Sequence, residues 1–453
     1  HWYRLKGAGR LINAYAIKAP DGSPSPYQLR AVDGERVFSA SSNIGPVRAL
    51  YDLDGTLLAV IGRLFYTIDT SGVRTQIGGI ASDGVITWAR NRRSPNPQVA
   101  FASGGSLHVY SNGALTQVAD ADLLACNSVS ILDGYLITTV ADGRWQISGI
   151  DTATTWDGLD IATAESNPDG LVRGAVRGAE LVLFGTSSLE VWRNTGAEFP
   201  FERVTTIRDL GCLSAATVAN TEQSLVWVAS DGTVRRLNGY QAEPISEDWL
   251  HELIAAERPD ALEAVAWVSR GQWFYSLSGT RFTAQYNART QRWHERRSYE
   301  LPRWRMSAAA QFGGKIIAGD YADGTLYELT PDVHAEGSRE LILEVITPLT
   351  QEHPRRIEVS ELFVNAVPGT GLATGASQDV DPVISMSHSI NGGMTWSSER
   401  PRALGRQGRY NTRTKWTRLG TSKEDGMAFR FRMSAAHVRG IDSAALDAVF
   451  LEP

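Results

Sequence analysis

Cysteine is scarce in this sequence: 453 residues contain two, Cys126 and Cys212. They cannot build a disulfide framework or a thiolate metal site, and they read as structural thiols. Long apolar runs are missing as well. No stretch approaches the roughly eighteen residues of a membrane span, and no leader pattern marks the N-terminal stretch, so membrane insertion is not expected. The eight histidines are scattered, with no His-Glu-x-x-His and no metal spacing, and His251 and His294 read as structural. Gly104-Gly105 and Gly313-Gly314 lack the Lys-Ser/Thr of a phosphate loop and read as turns, and no Gly-x-Ser-x-Gly elbow occurs. These absences leave no catalytic residue, metal or cofactor to name, and the expectation is a protein that is not an enzyme. Charge of one sign is also limited. A formal net charge of −6 speaks against wrapping nucleic acid, although it permits a passage through which DNA slides.

What the sequence does have is a repeat. An apolar strand, a turn and a second strand opening on Leu, Val or an aromatic residue recur at 57–68, 99–110, 135–147, 181–192, 225–237, 273–286 and 315–329. The residues opening the second strands are Leu64, Leu107, Trp145, Leu189, Val234, Phe282 and Leu326. Their mean step is about 44, the length of one four-stranded blade. A lone blade cannot bury its faces, whereas about seven around an axis can, which predicts an all-β protein built on a β-propeller. The 43 glycines supply positive-φ turns, and the 13 tryptophans fill space between sheets. Asp54-Gly55, Asp142-Gly143, Asp231-Gly232 and Asp323-Gly324 fall where hairpin turns are expected, so turn chemistry accounts for these acids without catalysis.

Three departures from the repeat set the domain plan. Residues 1–40 hold a Pro- and Ser-rich run at 20–26 and read as an extended arm, whose flanks, such as 11–17, are expected to pair with the last blade and close the ring. Residues 246–264 place Trp249, Leu250, Leu253 and Ile254 at helical spacing after opening acids, with Pro259 interrupting, which predicts one or two short inserted helices. Blade spacing stops near Leu341. The expected division is therefore 1–40 arm, 41–340 propeller and 341–453 a β-sandwich-like domain.

The last of these carries Ser389-Ile390-Asn391-Gly392-Gly393-Met394-Thr395-Trp396, which fits the Asp-box pattern with Asn in place of Asp. Its meaning is structural, a polar side chain bonding a turn above a packed Trp. Two clusters remain as candidate sites. Between 400 and 418 lie seven cations, Arg400, Arg402, Arg406, Arg409, Arg413, Lys415 and Arg418, with Tyr410 and Trp416 among them and no acid. Residues 342–453 hold thirteen Lys and Arg against twelve Asp and Glu, so the strip stands out locally. Arginines and aromatics are what protein interfaces favour, and the strip is expected to be an interface, against the plainer reading of a solvated strand-loop-strand face. The second cluster is Trp293-His294-Glu295-Arg296-Arg297-Ser298 with Arg303-Trp304-Arg305. Trp293, Arg296, Arg303 and Trp304 are expected to form a second patch or a joint between blade and domain, with cation stacked on ring.

That second phrase, continued by Gly319-Asp320 and Gly324-Thr325-Leu326-Tyr327, resembles the packaged-DNA stabilisation, or tail-hub, proteins of short-tailed phages. The same likeness runs through Arg10-Leu11-Ile12-Asn13-Ala14-Tyr15, the stretch 165–171, the blade at 184–192, the inserted helix, the 389–396 hairpin and Trp416-Thr417-Arg418-Leu419-Gly420. It spans nearly the whole chain in a shared order. The resemblance implies a structural virion protein, made in the host cytoplasm and added to the phage tail after DNA packaging. In this family the hub is a homo-hexameric ring below the portal and adaptor, retaining DNA until it passes through and carrying tail spikes or fibres and the needle or nozzle. Two other classes stay open from the residues alone. One is a glycan-binding or glycan-cleaving, sialidase-like propeller, suggested by the Trp content and the Asp-box-like hairpin. The other is a peptide-binding propeller scaffold.

Overall fold

A computed structural model describes residues 9–40, 44–164, 169–221 and 224–452. Residues 165–168, which open the stretch 165–171 quoted above, lie outside the described residues. The chain divides into two compact units, Val37–Thr280 with Arg305–Glu328, and His1–Arg36 with Arg281–Trp304 and Leu329–Pro453.

The first unit holds five complete four-stranded antiparallel meanders, which open on Val47–Leu53, Thr87–Arg90, Ser128–Leu132, Leu171–Arg177 and Ala219–Thr221. Two hairpins, Glu263–Ser269 with Gln272–Ser278 and Met306–Phe312 with Lys315–Asp320, begin the sixth and seventh sheets. Opening strands lie side by side: Thr87–Arg90 next to Ser128–Leu132 next to Leu171–Arg177, and Ala219–Thr221 next to Glu263–Ser269 next to Met306–Phe312. Met306–Phe312 in turn lies beside Val47–Leu53, and shared cores join the first sheet to the second (Phe65 with Phe101) and the fourth to the fifth (Phe184 with Trp227), which closes the ring. The propeller is seven-bladed, as the repeat predicts.

The repeated phrases are the second and third strands of each sheet. Flanked by neighbouring sheets on both faces, the second strands bury nearly every side chain, as in Val99–Ser103, and so read as apolar runs, while third strands such as Val234–Asn238 bury fewer. Fourth strands such as Arg74–Gly79 and Ala114–Gln117 are mostly open to solvent and carry no such signature. Asp54 and Gly55 both take positive φ, 48° and 90°, the geometry a two-residue hairpin demands. Hydroxyls stitch the opening strands together. Thr87 Oγ1 accepts from Val129 N at 2.7 Å, Ser128 Oγ from Gly174 N at 2.8 Å, and Ser307 Oγ donates to Val47 O at 2.6 Å. Arginines do the same further out. Arg173 donates to Ala215 O and Val218 O at 2.9 Å, and burial pulls its guanidinium down to about 10. The insertion after the fifth sheet is the helix Asp248–Ala255, which buries Trp249, Leu250 and Ile254, followed by the 3-10 turn Pro259–Ala261. Cys126 and Cys212 are free and buried, and burial pushes both thiols up to about 12.

The second unit is a β-sandwich. One sheet contains Leu343–Ile346, Ala428–Met433, Val383–Ser389 and Arg400–Ala403 in that order, and the other Tyr27–Ala31, Gly440–Phe450, Ile357–Ala366 and Thr414–Thr421. Along Ile357–Ala366 the buried residues Ile357, Val359, Leu362, Val364 and Ala366 alternate with exposed Glu358, Ser360, Phe363 and Asn365, with shifts of register between Val359 and Glu361 and between Asn365 and Ala366. Inward side chains of both sheets, among them Met386, Trp416, Phe429 and Phe431, form one core. The N-terminal segment is woven into this unit, which corrects one expectation. Arg10–Ile12 runs antiparallel to Leu343–Ile346 and meets Glu295 on its other side, and Ala14–Lys18 pairs with Tyr27–Ala31, which continues to Gly440 and Ile441. Residues 11–17 therefore do not pair with the last blade; the arm's other flank, Gly34–Ser39, does, next to Leu326–Thr330. In the propeller unit Phe38, on the strand Gly34–Ser39, instead joins the core of the last sheet, edge-on to Phe312 at 6.1 Å and clustered with Ile317 and Leu326.

Candidate interaction surface

The basic strip spans the strand Arg400–Ala403, the loop after it and the strand Thr414–Thr421. Among the described residues each of these strands is the last of its sheet, so each has an edge whose backbone groups face no further strand. Arg400 and Arg402 close that gap. Arg400 Nη2 donates to Thr417 O and Arg402 Nε to Lys415 O, both at 2.9 Å, while Trp416 Nε1 returns a bond to Arg400 O at 2.8 Å. Lys415 is held by Glu361 at 2.6 Å and lies 5.2 Å from the Phe363 ring centre. Arg406 pairs with Asp381 at 3.2 Å. Arg409, Arg413 and Arg418 remain, all exposed, with Tyr410 beside them at 70% exposure. Trp416 is fully buried, stacked obliquely on Phe431 at 5.9 Å, so it belongs to the core and not to the surface expected of it. Of the strip, the exposed cations are what a partner could reach.

The second cluster lies inside the sandwich unit. Trp293, Arg296, Arg303 and Trp304 are all buried, at 7%, 2%, 6% and 1% exposure, which corrects the reading of a surface patch. The expected stacking is present: the Arg296 guanidinium lies 3.9 Å from the Trp304 ring centre. Arg296 Nη2 also donates to Asp33 O at 2.9 Å and to Glu35 Oε1 at 3.3 Å, and Trp304 Nε1 donates to that same oxygen at 2.6 Å. Glu35 is the register partner of Glu336 on the parallel strand alongside, so two buried acidic residues are neighbours, with the Arg296 guanidinium on Glu35. Burial first, and Glu336 second, push the Glu35 carboxyl up to about 7 against the pull of Arg296 and Trp304. Arg303 Nε caps Trp304 O, and Trp293 packs on Tyr286 at 5.2 Å. His294 is buried and bonded to Gln285, and burial holds it down to about 3, neutral and structural.

Asn13 shows why its segment matters. At positive φ, 54°, it accepts from Arg297 N and donates from Nδ2 to Arg297 O and Ile342 O, each at 2.9 Å. Arg10 closes the same region by gripping both oxygens of Glu295 at 2.9 and 2.5 Å. Sequence reasoning missed Glu35, Glu336 and Arg439, the last fully buried and bonded to the carbonyls of Leu341 and His334. Each sits alone in the sequence with no motif around it. In the Asp-box-like hairpin the turn bonds form as the pattern predicts, Asn391 Oδ1 accepting from Thr395 N at 2.9 Å and Ser389 Oγ from Gly393 N at 2.9 Å, while Trp396 is only half-buried, 5.0 Å from the Arg430 guanidinium. Among the described residues no group of three His, Cys, Asp or Glu could hold a metal ion.

A family model for bacteriophage P22 Gp10, beta-propeller, matches residues 11–334, and one for bacteriophage P22 Gp10, beta-sandwich, matches residues 342–448. No curated protein matches the chain. Among solved structures, virginiamycin B lyase from Staphylococcus aureus shows 12% identity with a TM-score of 0.44, covering 65% of this chain and 98% of its own. The WD40 beta propeller domain of Doa1 shows 11% identity with a TM-score of 0.40 over 65% and 97%. A streptogramin B lyase structure shows 11% with a TM-score of 0.45 over 65% and 96%. At those values the likeness says nothing about activity.

Proposed function

The chain belongs to the bacteriophage P22 Gp10 family, and on that premise we propose that this structural phage protein, of a family that stabilises packaged DNA, acts as a tail hub. In this reading six copies form a ring below the portal and adaptor, retain the packaged genome until it passes through, and anchor the tail spikes or fibres and the needle or nozzle. The observation that carries it is the match of both family models, in chain order, over nearly the full length. The physical plan supports it. A propeller is rigid and has many independent loops, and a closed ring of copies needs a heterologous contact, with two different surfaces on each subunit. The exposed cations Arg406, Arg409, Arg413 and Arg418 are our choice for one of those contacts or for a virion partner. The parts follow the order arm 1–40, propeller 41–340 and sandwich 341–453, and the protein performs no catalysis. It is made in the host cytoplasm and resides in the virion.

The test is quantitative peptide mass spectrometry of purified virions from the source, combined with antibody labelling in the electron microscope. About six copies at a single tail vertex are expected. Copies spread over the head, or none in the particle, would remove the hub.

A further inference from the structure

The two edges of the second sandwich sheet are treated in opposite ways. At one, the strand Thr414–Thr421 has carbonyls capped by Arg400 and Arg402. At the other, Gly440–Phe450 pairs with Ile357–Ala366 along its whole length but is met by Tyr27–Ala31 only at Gly440 and Ile441. From Ser443 to Phe450 its outer edge has no strand beside it among the described residues. Natural edges of this length are usually blunted by charges, above all lysine, by proline or by bulges; this segment, Ser-Ala-Ala-Leu-Asp-Ala-Val-Phe, has no lysine or proline, and its one charge is Asp447, beside the register shift at Val359 and Glu361.

Its side chains repeat the pattern. Ala444, Leu446, Ala448 and Phe450 lie directly opposite the buried residues Val364, Leu362, Val359 and Ile357, so they continue the core-facing side of the sheet. Yet Leu446 is 37% and Phe450 39% exposed, because the core ends before this strand does. The other side carries Ala445, Asp447 and Val449, beside Phe363, Glu361 and Glu358. That side is acidic. Glu358 and Asp447 are exposed, Asp447 accepting one bond from Ser360 Oγ at 2.9 Å, Glu361 is engaged by Lys415, and Arg356 turns to Ser422 O just past the far strand.

We infer that the edge Ser443–Phe450 is a docking site for an extended strand of a different polypeptide chain, apolar at alternate residues and basic between them. Main-chain hydrogen bonds to the open edge hold the strand. Its apolar side chains cover Leu446 and Phe450, and its cations face Asp447 and Glu358. A second copy of the same edge fits poorly, since it brings its own Asp447 and Glu358 to the acidic side. The inference stands independently of the hub, because it rests on the edge of the sheet alone.

The test uses the full chain and a fluorescein-labelled octapeptide alternating valine and lysine, read by anisotropy. Saturable binding is expected, at least tenfold weaker in Leu446→Lys and in Asp447→Lys, both surface changes that leave the melting temperature within a few degrees. A peptide alternating valine and glutamate should bind at least tenfold more weakly. Hydrogen exchange should slow within 443–450 when the lysine peptide is present. No saturable binding, or equal binding by wild type and both variants, overturns the proposal. Sedimentation showing dimers that Leu446→Lys dissolves overturns it too, by giving the edge to a second copy.

Discussion

Single buried polar residues set the terms of the sandwich unit. Asn13 satisfies one backbone N–H and two carbonyls from a left-handed conformation, so Asn13→Ala should cost on the order of 3 kcal/mol in lost bonds to buried groups. Asn13→Gly should recover about 1 kcal/mol of that, since glycine accepts positive φ. Chemical denaturation checks both, and equal losses in the two variants would show that the conformation contributes nothing. Glu35 makes a second prediction, whose sign follows from its carboxyl being raised to about 7 by burial and by Glu336. A carboxyl held above its unfolded value contributes stability that is complete below the ordinary carboxylate range and is lost as pH rises through about 7. Glu35→Gln cannot ionise and should keep that contribution. Its melting temperature should therefore gain on the wild type as pH is raised from 5 to 8, and parallel melting curves for the two would contradict the paired-carboxylate account. None of these residues was legible as a partner set. Asn13 stood out only through a family likeness, and Glu35 meets Arg296 and Trp304 across more than 260 positions of chain.

At the scale of elements, the sequence spoke most clearly where both faces of a strand are buried. The middle hairpins of the blades have apolar runs and glycine turns, so their spacing revealed the propeller and placed the opening of each later strand to within one residue, at the observed residue for Leu64, Leu189, Val234 and Leu326. Fourth strands, exposed and polar, have no such period, and their existence follows only from the blade plan. The basic strip was legible as composition and not as geometry. Local sequence cannot tell a guanidinium that caps a sheet edge, as Arg400 and Arg402 do, from one left in solvent, as Arg409, Arg413 and Arg418 are. Mutation can. Replacing Arg400 and Arg402 together by Ala should uncover the Thr417 and Lys415 carbonyls, lower stability by about 2 kcal/mol and promote association through the edge. Replacing Arg409, Arg413 and Arg418 by Ala should leave stability within about 0.5 kcal/mol and weaken incorporation into particles. A triple variant that assembles normally would discard these cations as a contact, and a stable R400A/R402A protein would discard the capping role.

For the whole molecule, compactness does not follow chain order. The sandwich unit takes in residues from the N-terminus, a middle segment and the C-terminal third. Local sequence signals cannot show this, because a strand such as Arg10–Ile12 is equally well formed whichever partner it pairs with, and the choice is made by residues more than 300 positions away. The physical consequence is a fragment that should not stand alone. Residues 342–453 by themselves lose the strand against Leu343–Ile346, the pairing at Gly440 and Ile441, the Arg30 to Asp442 ion pair, and Ala14, which is fully buried in the sandwich core. Two further edges and an opened core then face water, and such a fragment should be expanded, with weak near-ultraviolet circular dichroism and no sharp melting transition. Joining residues 9–36 through a short Gly/Ser linker to residues 329–453, with residues 281–304 added as a separate peptide to supply the partners of Arg10, Asn13 and Glu35, should restore a cooperative transition. The join is geometrically open, because Gly34 N bonds Val333 O at 3.1 Å and Gly337 N bonds Glu35 O at 2.7 Å, which brings the two ends together. If residues 342–453 alone melt as sharply and as high as the fusion, the N-terminal strands are an appendage and the sandwich is self-sufficient. If only the fusion melts cooperatively, no folded sandwich exists until both ends of the chain are present, and during synthesis this unit must be the last part of the protein to form.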